Sequence, residues 1–358
     1  MALRCMALNN NRKKRMRKID RKQSNIPLMI LLPVIFLVTV LLSMMAGRYA
    51  ISFEEVFQLL QGEGADPASP LHPAYTVLFE SRMARIGAAA VIGASLSCAG
   101  AAYQGIFHNP MVSPDLLGAG TGAAFGAVLA IYLGAGTVMI QISAFVFGLL
   151  AVGTACLTAS AIAGRTGGST ITLVLTGMVT ASLFSAFISI VKFIGDPYDT
   201  LPTITFWLMG GLNYTVRSDV LLMLIPFAAG VIPVFLLRWR LNLLSLEDDE
   251  ARALGVNTGV MRIVFILCAT LISSSSVAVG GMIGWVGLIV PHIARMITGP
   301  DYSKLIPCSL LTGSVFLMIV DDLARCLSAS ELPLGVLTSI VGAPFFLWLM
   351  YRGRRSFF

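Results

Sequence analysis

The chain has 358 residues, 56% of them hydrophobic and 12% charged, with a formal net charge of +7. Soluble domains carry about 25% charged residues, so this composition excludes an ordinary soluble fold and indicates an integral membrane protein. The basic excess needs no nucleic-acid partner, because positively charged cytoplasmic flanks beside anionic lipid account for it.

The chain opens with nine Lys/Arg between residues 4 and 22, followed by an apolar run over 26–46. A cleaved signal peptide has an apolar core of about 7–15 residues. This run is longer and covers about 30 Å as a helix, so it reads as a retained first span. Nine further runs have the character of spans: 84–104, 114–133, 138–163, 170–194, 219–238, 260–279, 282–298, 306–327 and 335–351. The expected fold is therefore an all-α polytopic bundle of ten transmembrane helices over 26–352. It is flanked by a basic cytoplasmic tail, 1–25, and a short one, 353–358. With both termini inside, 19 of the 25 Lys/Arg fall on the cytoplasmic side and 6 outside, as the positive-inside rule requires.

Two outer loops are long. Residues 47–83 hold Glu54, Glu55, Glu63, Asp66, Pro67, Pro70 and Pro73, and 195–218 hold GDPYDTLPTITFWLMGGLNY, apolar enough for a short interfacial helix with Trp207 and Tyr214 at its edge. Small residues recur every fourth position in span two (Ala89, Gly93, Ser97, Ala101, Gly105) and in span three (Gly118, Gly122, Gly126, Ala130, Gly134). Such ridges let helices approach closely in lipid, where apolar burial supplies no drive.

Catalytic chemistry has no motif. No Gly-Lys pair occurs, which rules out a phosphate-binding P-loop, and GxSxG and HExxH are absent. The six cysteines fall singly and His72, His108 and His292 are far apart, so neither a disulfide framework nor a metal centre is expected. Within the spans, Asp321 and Asp322 sit near the outer end of span nine and read as an interfacial pair beside Arg325. A proton- or sodium-coupled carrier keeps acids near the midplane, so the transport energy is expected from elsewhere. The Thr/Ser-rich fifth span fits a mildly polar pathway wall, or hydroxyls bonded to their own backbone.

Between spans six and seven stands SLEDDEARALGVNTG (245–259), with four consecutive acids in a chain that has few. Ser245 is placed to cap a helix, with Asp248 three residues later. Glu247, Asp248, Asp249 and Glu250 suit its first turns and Arg252 its last, with Gly255 just beyond. A helix of about two and a half turns over 246–254 is too short and too charged to span. It is either a solvated loop helix or a rigid peg offered to a soluble partner.

Five stretches together resemble one family: SRMARIGAAAVIGASLSCAGAAYQGIFHNPMVSPDLLG (81–118), FWLMGGL (206–212), LSLEDDEARALGVN (244–257), GGMIGWVGLIVPHIARMITGPDYSKLIP (280–307) and ELPLGVLTSIVGAPFFLWL (331–349). The chain is similar, from residue 78 to 352, to the permease subunits of iron-siderophore and cobalamin ABC importers (type II, FecCD-type). The resemblance implies a subunit without enzymatic activity, in the cytoplasmic membrane. It would pair with a second permease copy or paralogue, two ATPase subunits that use ATP and magnesium, and a periplasmic or lipid-anchored binding protein. No cofactor is expected on this chain. The resemblance makes Ser245, Leu246, Glu247, Asp248, Asp249, Glu250, Ala251, Arg252, Leu254 and Gly255 the ATPase-coupling helix. It assigns binding-protein docking to Arg82 and Arg85 of SRMAR, where the commoner pattern is RLPR, and to Arg325 of DDLAR. It places the inner gate at Ser169 and Thr170. The expected cargo is a ferric siderophore, with cobalamin, heme or molybdate/tungstate as alternatives.

Overall fold

A computed structural model of the chain describes residues 26–163, 170–246, 248–328 and 330–353. The described residues form helices α1 (Ile26–Met45), α2 (Phe53–Leu60), α3 (His72–Ile106), α4 (Ala119–Tyr132), α5 (Thr137–Ala163), α6 (Thr170–Ile194) and α7 (Thr200–Met209). They continue as α8 (Arg217–Leu244), α9 (Asp248–Ala253), α10 (Thr258–Gly280), α11 (Val286–Thr298), α12 (Tyr302–Cys326) and α13 (Leu334–Gly353). Every expected span has a helix at its place. Among the described residues seven helices are long and apolar enough to cross a membrane: α3, α5, α6, α8, α10, α12 and α13.

α3 departs most from expectation. It begins at His72, twelve residues before the apolar run expected for span two, and its first turns contain a π-helical segment, Val77–Arg82. It is the central helix, with almost every residue from Ala84 to Ile106 buried. Around it the core falls into two large clusters, one at the end where α3 and α8 finish and one at the end where α1 and α12 finish. The first is called here the α9 end and the second the far end. α6, α8 and α13 leave long rows of Leu, Ile, Val and Phe exposed, as a lipid-facing surface does.

Two helices are short for a reason. α4 has 14 residues and α11 has 13, about 20 Å each against a hydrocarbon thickness of about 30 Å. Both begin midway through the bundle. Residues 107–118 turn back from the α9 end into the interior, where Gly287 of α11 lies against both Pro114 and the Leu96 carbonyl of α3. Non-helical backbone is tolerated at that depth because it is enclosed by protein. A cavity of about 80 Å³ sits there, between Ser113–Asp115, Ser273 and Met282–Trp285.

The small-residue ridges fix the helix pairs. On α3, a Cβ at Gly93 would fall inside the Gly313 carbonyl of α12, and Ser97 Oγ donates to the Ser309 carbonyl at 2.8 Å. Gly105 sits against the Tyr302 ring and Leu241. On α4, Gly122 and Gly126 lie on the Phe147 and Ser143 carbonyls of α5. Gly118 differs from the expected ridge role. It is left-handed (φ 80°) and joins the 3-10 turn Pro114–Leu117 to α4, a conformation that costs a non-glycine residue about 1–2 kcal/mol.

Candidate functional site

The segment between α8 and α10 is built from its two ends. Ser245 is not the N-cap expected of it. It ends α8, with its N–H donating to Leu241 O and its hydroxyl to Asn242 O at 2.6 Å. Bonded back into α8, that hydroxyl is not available to the next helix. Leu246 forms the bend, and Glu247 lies outside the described residues. α9 then runs Asp248–Ala253, six residues rather than the nine expected, with Glu250 exposed, Ala251 buried and Arg252 in its last turn. It closes as a Schellman motif: Val256 N donates to Ala251 O at 3.1 Å, Gly255 N to Arg252 O at 2.9 Å, and Gly255 takes φ 81°. Leu254 is left 61% exposed on this polar segment. Asn257 then caps α10 through Val260 N.

The root of α9 is held by the bundle. The Asn242 side-chain amide donates to Asp301 Oδ1 at 2.8 Å and accepts from Tyr302 N at 2.9 Å, so it uses both its groups on the start of α12. Burial acts to raise the Asp301 carboxyl, but hydrogen bonds from Ser303 and Asn242 and the charge of Lys304 outweigh it and hold the group below its ordinary range. His108, just past α3 and in a left-handed conformation, contacts the Leu244 carbonyl through Nε2. Arg295 of α11 bonds Gln104 of α3 at 3.2 Å.

At the far end the three arginines expected to be presented are buried, at 4–5% exposure. Arg82 donates to the carbonyls of Met44, Met45 and Tyr49. These include the last turn of α1, where carbonyls lack helical partners and a cation is favoured. Arg85 bridges Asp321 at 2.7 Å and Glu331 at 2.6 Å. Arg325 pairs with Asp321 at 3.2 Å and with Asp322, which also accepts from Ser43 Oγ at 2.5 Å. Two guanidiniums, Arg85 and Arg325, therefore face three carboxylates while Arg82 holds backbone carbonyls, and together they tie α1, α3 and α12. Their donors are turned inward rather than toward an incoming acid, and Arg82 and Arg85, expected on one face, serve different helices.

Asp115 is a half-buried acid that the sequence pattern does not single out, since it falls at the start of an expected span. It accepts from Gly120 N (2.6 Å), Thr121 N (3.2 Å) and Thr121 Oγ1 (3.2 Å), and so holds the first turn of α4. On α6 the hydroxyls of Thr176, Thr180, Ser182 and Ser189 return to backbone carbonyls three or four residues earlier, which makes them helix-satisfied rather than a free polar wall. Thr170 opens α6, and Ser169 lies outside the described residues. Among the described residues no His/Cys/Asp/Glu group could hold a metal ion.

A sequence profile described as the FecCD transport family matches residues 35–352. The chain belongs to that family. The chain is 37% identical over 326 residues to the molybdate import system permease protein MolB of Haemophilus influenzae, covering 91% of this chain and 95% of that one. It is 40% identical over 278 residues to an iron chelatin transport system permease protein of Helicobacter pylori, covering 78% and 83%. A solved metal-chelate type ABC transporter in an inward-facing conformation superposes with a TM-score of 0.80 at 34% identity, covering 91% of this chain and 99% of that one. This FecCD chain is thus a multi-pass cytoplasmic-membrane permease subunit of an ABC importer of the metal-chelate or ion class, without enzymatic activity of its own.

Proposed function

We propose that the chain translocates a small metal-containing solute and takes its driving force from a separate ATPase through α9. The observation that carries this is Leu254: an exposed leucine just past a short helix that closes in a Schellman turn and whose root is bonded to α12 and to His108 after α3. An apolar side chain presented on a polar segment in this way suits a groove on a soluble partner. Closure of the ATPase dimer would move α9 and tilt α8 and α10 as rigid bodies. In this reading ten helices cross or enter the membrane, both termini and the α9 end are cytoplasmic, and two permease chains, two ATPases and a binding protein complete the importer. The inner gate is assigned to the α5–α6 connection at Ser169 and Thr170. Docking of the binding protein falls to far-end loops, with Arg82, Arg85 and Arg325 bracing them from within.

For cargo, an oxyanion such as molybdate fits the relative matched along nearly its whole length. A ferric chelate is the second reading, supported by the iron chelatin relatives. Calorimetry on the binding protein that docks on this chain, titrated with molybdate, tungstate, a ferric hydroxamate and cobalamin, separates them. Molybdate or tungstate retention supports the first reading, and retention of the ferric hydroxamate alone overturns it.

A further inference from the structure

The bonds at the root of α9 have a consequence for how force travels. A peg transmits motion only if its base does not yield, and α8 gives way to a turn and a bend at Ser245 and Leu246. The last turn of α8 is held from two sides. Asn242 spends both its amide groups on the N-terminal turn of α12, at 2.8 and 2.9 Å. From the other side His108 meets the Leu244 carbonyl, which follows Asn242 by two residues at the end of α8. Leu241 and Leu244 are 0–1% exposed between these holds. Asn242 has four acceptor or donor sites on its amide, and a residue whose sole task was to end α8 would not direct them at another helix 59 positions away.

We propose that Asn242, with His108 as the second hold, is a positioning residue for transport: it locks the inner ends of α8, α3 and α12 into one block, so that displacement of α9 reaches α12 instead of being absorbed in the bend. Without it, α8 moves with the ATPase and α12 lags. This rests on α9 as the ATPase-contacting element.

The test uses the full chain assembled with its ATPase in nanodiscs, in a cysteine-free background. Trp239→Cys on α8 and Lys304→Cys on α12, both at exposed positions, carry spin labels, and labelled chain is diluted with unlabelled. EPR reads the 239–304 distance without nucleotide and with ADP-vanadate. With Asn242 present, the distribution keeps its centre and width in both states. Asn242→Leu, which keeps side-chain bulk and removes both bonds, should at least double the width and add a vanadate-dependent shift; His108→Ala added to it should enlarge both. Distributions that superpose on the parent in both states overturn the proposal. Retention of the ATPase on Leu254→Asp, measured in the same preparations, would overturn the α9 reading instead, while the nucleotide-free width still judges the clamp. A loss of ATPase binding caused by Asn242→Leu itself would count against the clamp, because the variant should disturb transmission and not contact.

Discussion

Gly93→Val should separate α3 from α12. A Cβ on Gly93 would stand 2.7 Å from the Gly313 carbonyl carbon and 2.9 Å from Leu317 Cβ, where ordinary carbon contacts lie at about 3.5–4.0 Å. The helices must then part by about 1 Å. Two bonds that cross this interface, Ser97 Oγ to Ser309 O and Ser314 Oγ to Ala90 O, both 2.8 Å, would stretch past hydrogen-bonding range. Interhelical bonds in membranes contribute about 0.6 kcal/mol each on average, and over-packing costs about 1–3 kcal/mol more. The sum is about 2–4 kcal/mol. Thermal unfolding in detergent, followed by loss of the monodisperse peak, measures it. Gly153→Val is the control, because nothing lies within 4 Å of a Cβ there. If the Gly93 variant melts with the control, the close crossing does not carry the stability assigned to it.

Arg85→Met leaves the buried Asp321 carboxylate with Arg325 as its remaining cation and should cost less than the about 3–5 kcal/mol of a fully broken buried pair; combined with Asp321→Leu the loss should fall well short of the sum of the two single changes, as unfolding of all three variants would read out. Gly255→Ala forces a side chain into φ 81°, a strain of about 1–2 kcal/mol, and should weaken ATPase retention about tenfold, with Gly255→Asn nearer to wild type. Glu55 and Ser52 form a capping box on α2, and the Ser52 N–H and hydroxyl hold the Glu55 carboxyl below its ordinary range. A depressed folded-state value means the stabilisation is present above the unfolded carboxylate value and is lost as pH falls through the folded one. Hydrogen exchange in residues 53–60 should therefore accelerate only in acid, and Glu55→Gln should remove that dependence.

The positions of the spans were legible because each is an apolar run, and lipid imposes that pattern on every helix it surrounds. The fourfold spacing of small residues likewise marked the faces along which α3 meets α12 and α4 meets α5. The long α3 was not legible, because its first turns, His72–Arg82, carry a proline and charges and owe their helicity to packing against the far-end core. Nor was the re-entrant stretch before α4: Asp115 sat at the margin of an apolar run, and only the folded backbone shows that its carboxylate caps a helix that begins inside the bundle. The three arginines share one end of the bundle, and Arg325 meets Asp321 and Asp322 at helical spacing, but the partners of Arg85, Asp321 and Glu331, lie more than 230 positions away, beyond any spacing rule. On α9, Gly255 announced the end of the helix correctly. Ser245 misled, because a serine after a long helix can equally bond back into it.

The measurement closest to the central claim is co-purification of the ATPase with the chain carrying Leu254→Asp, in membranes where the variant is present at the wild-type level. An acid placed at the exposed end of α9 should release the ATPase while the bundle stays folded. ATPase retained at the wild-type ratio would mean that force enters this permease somewhere other than α9.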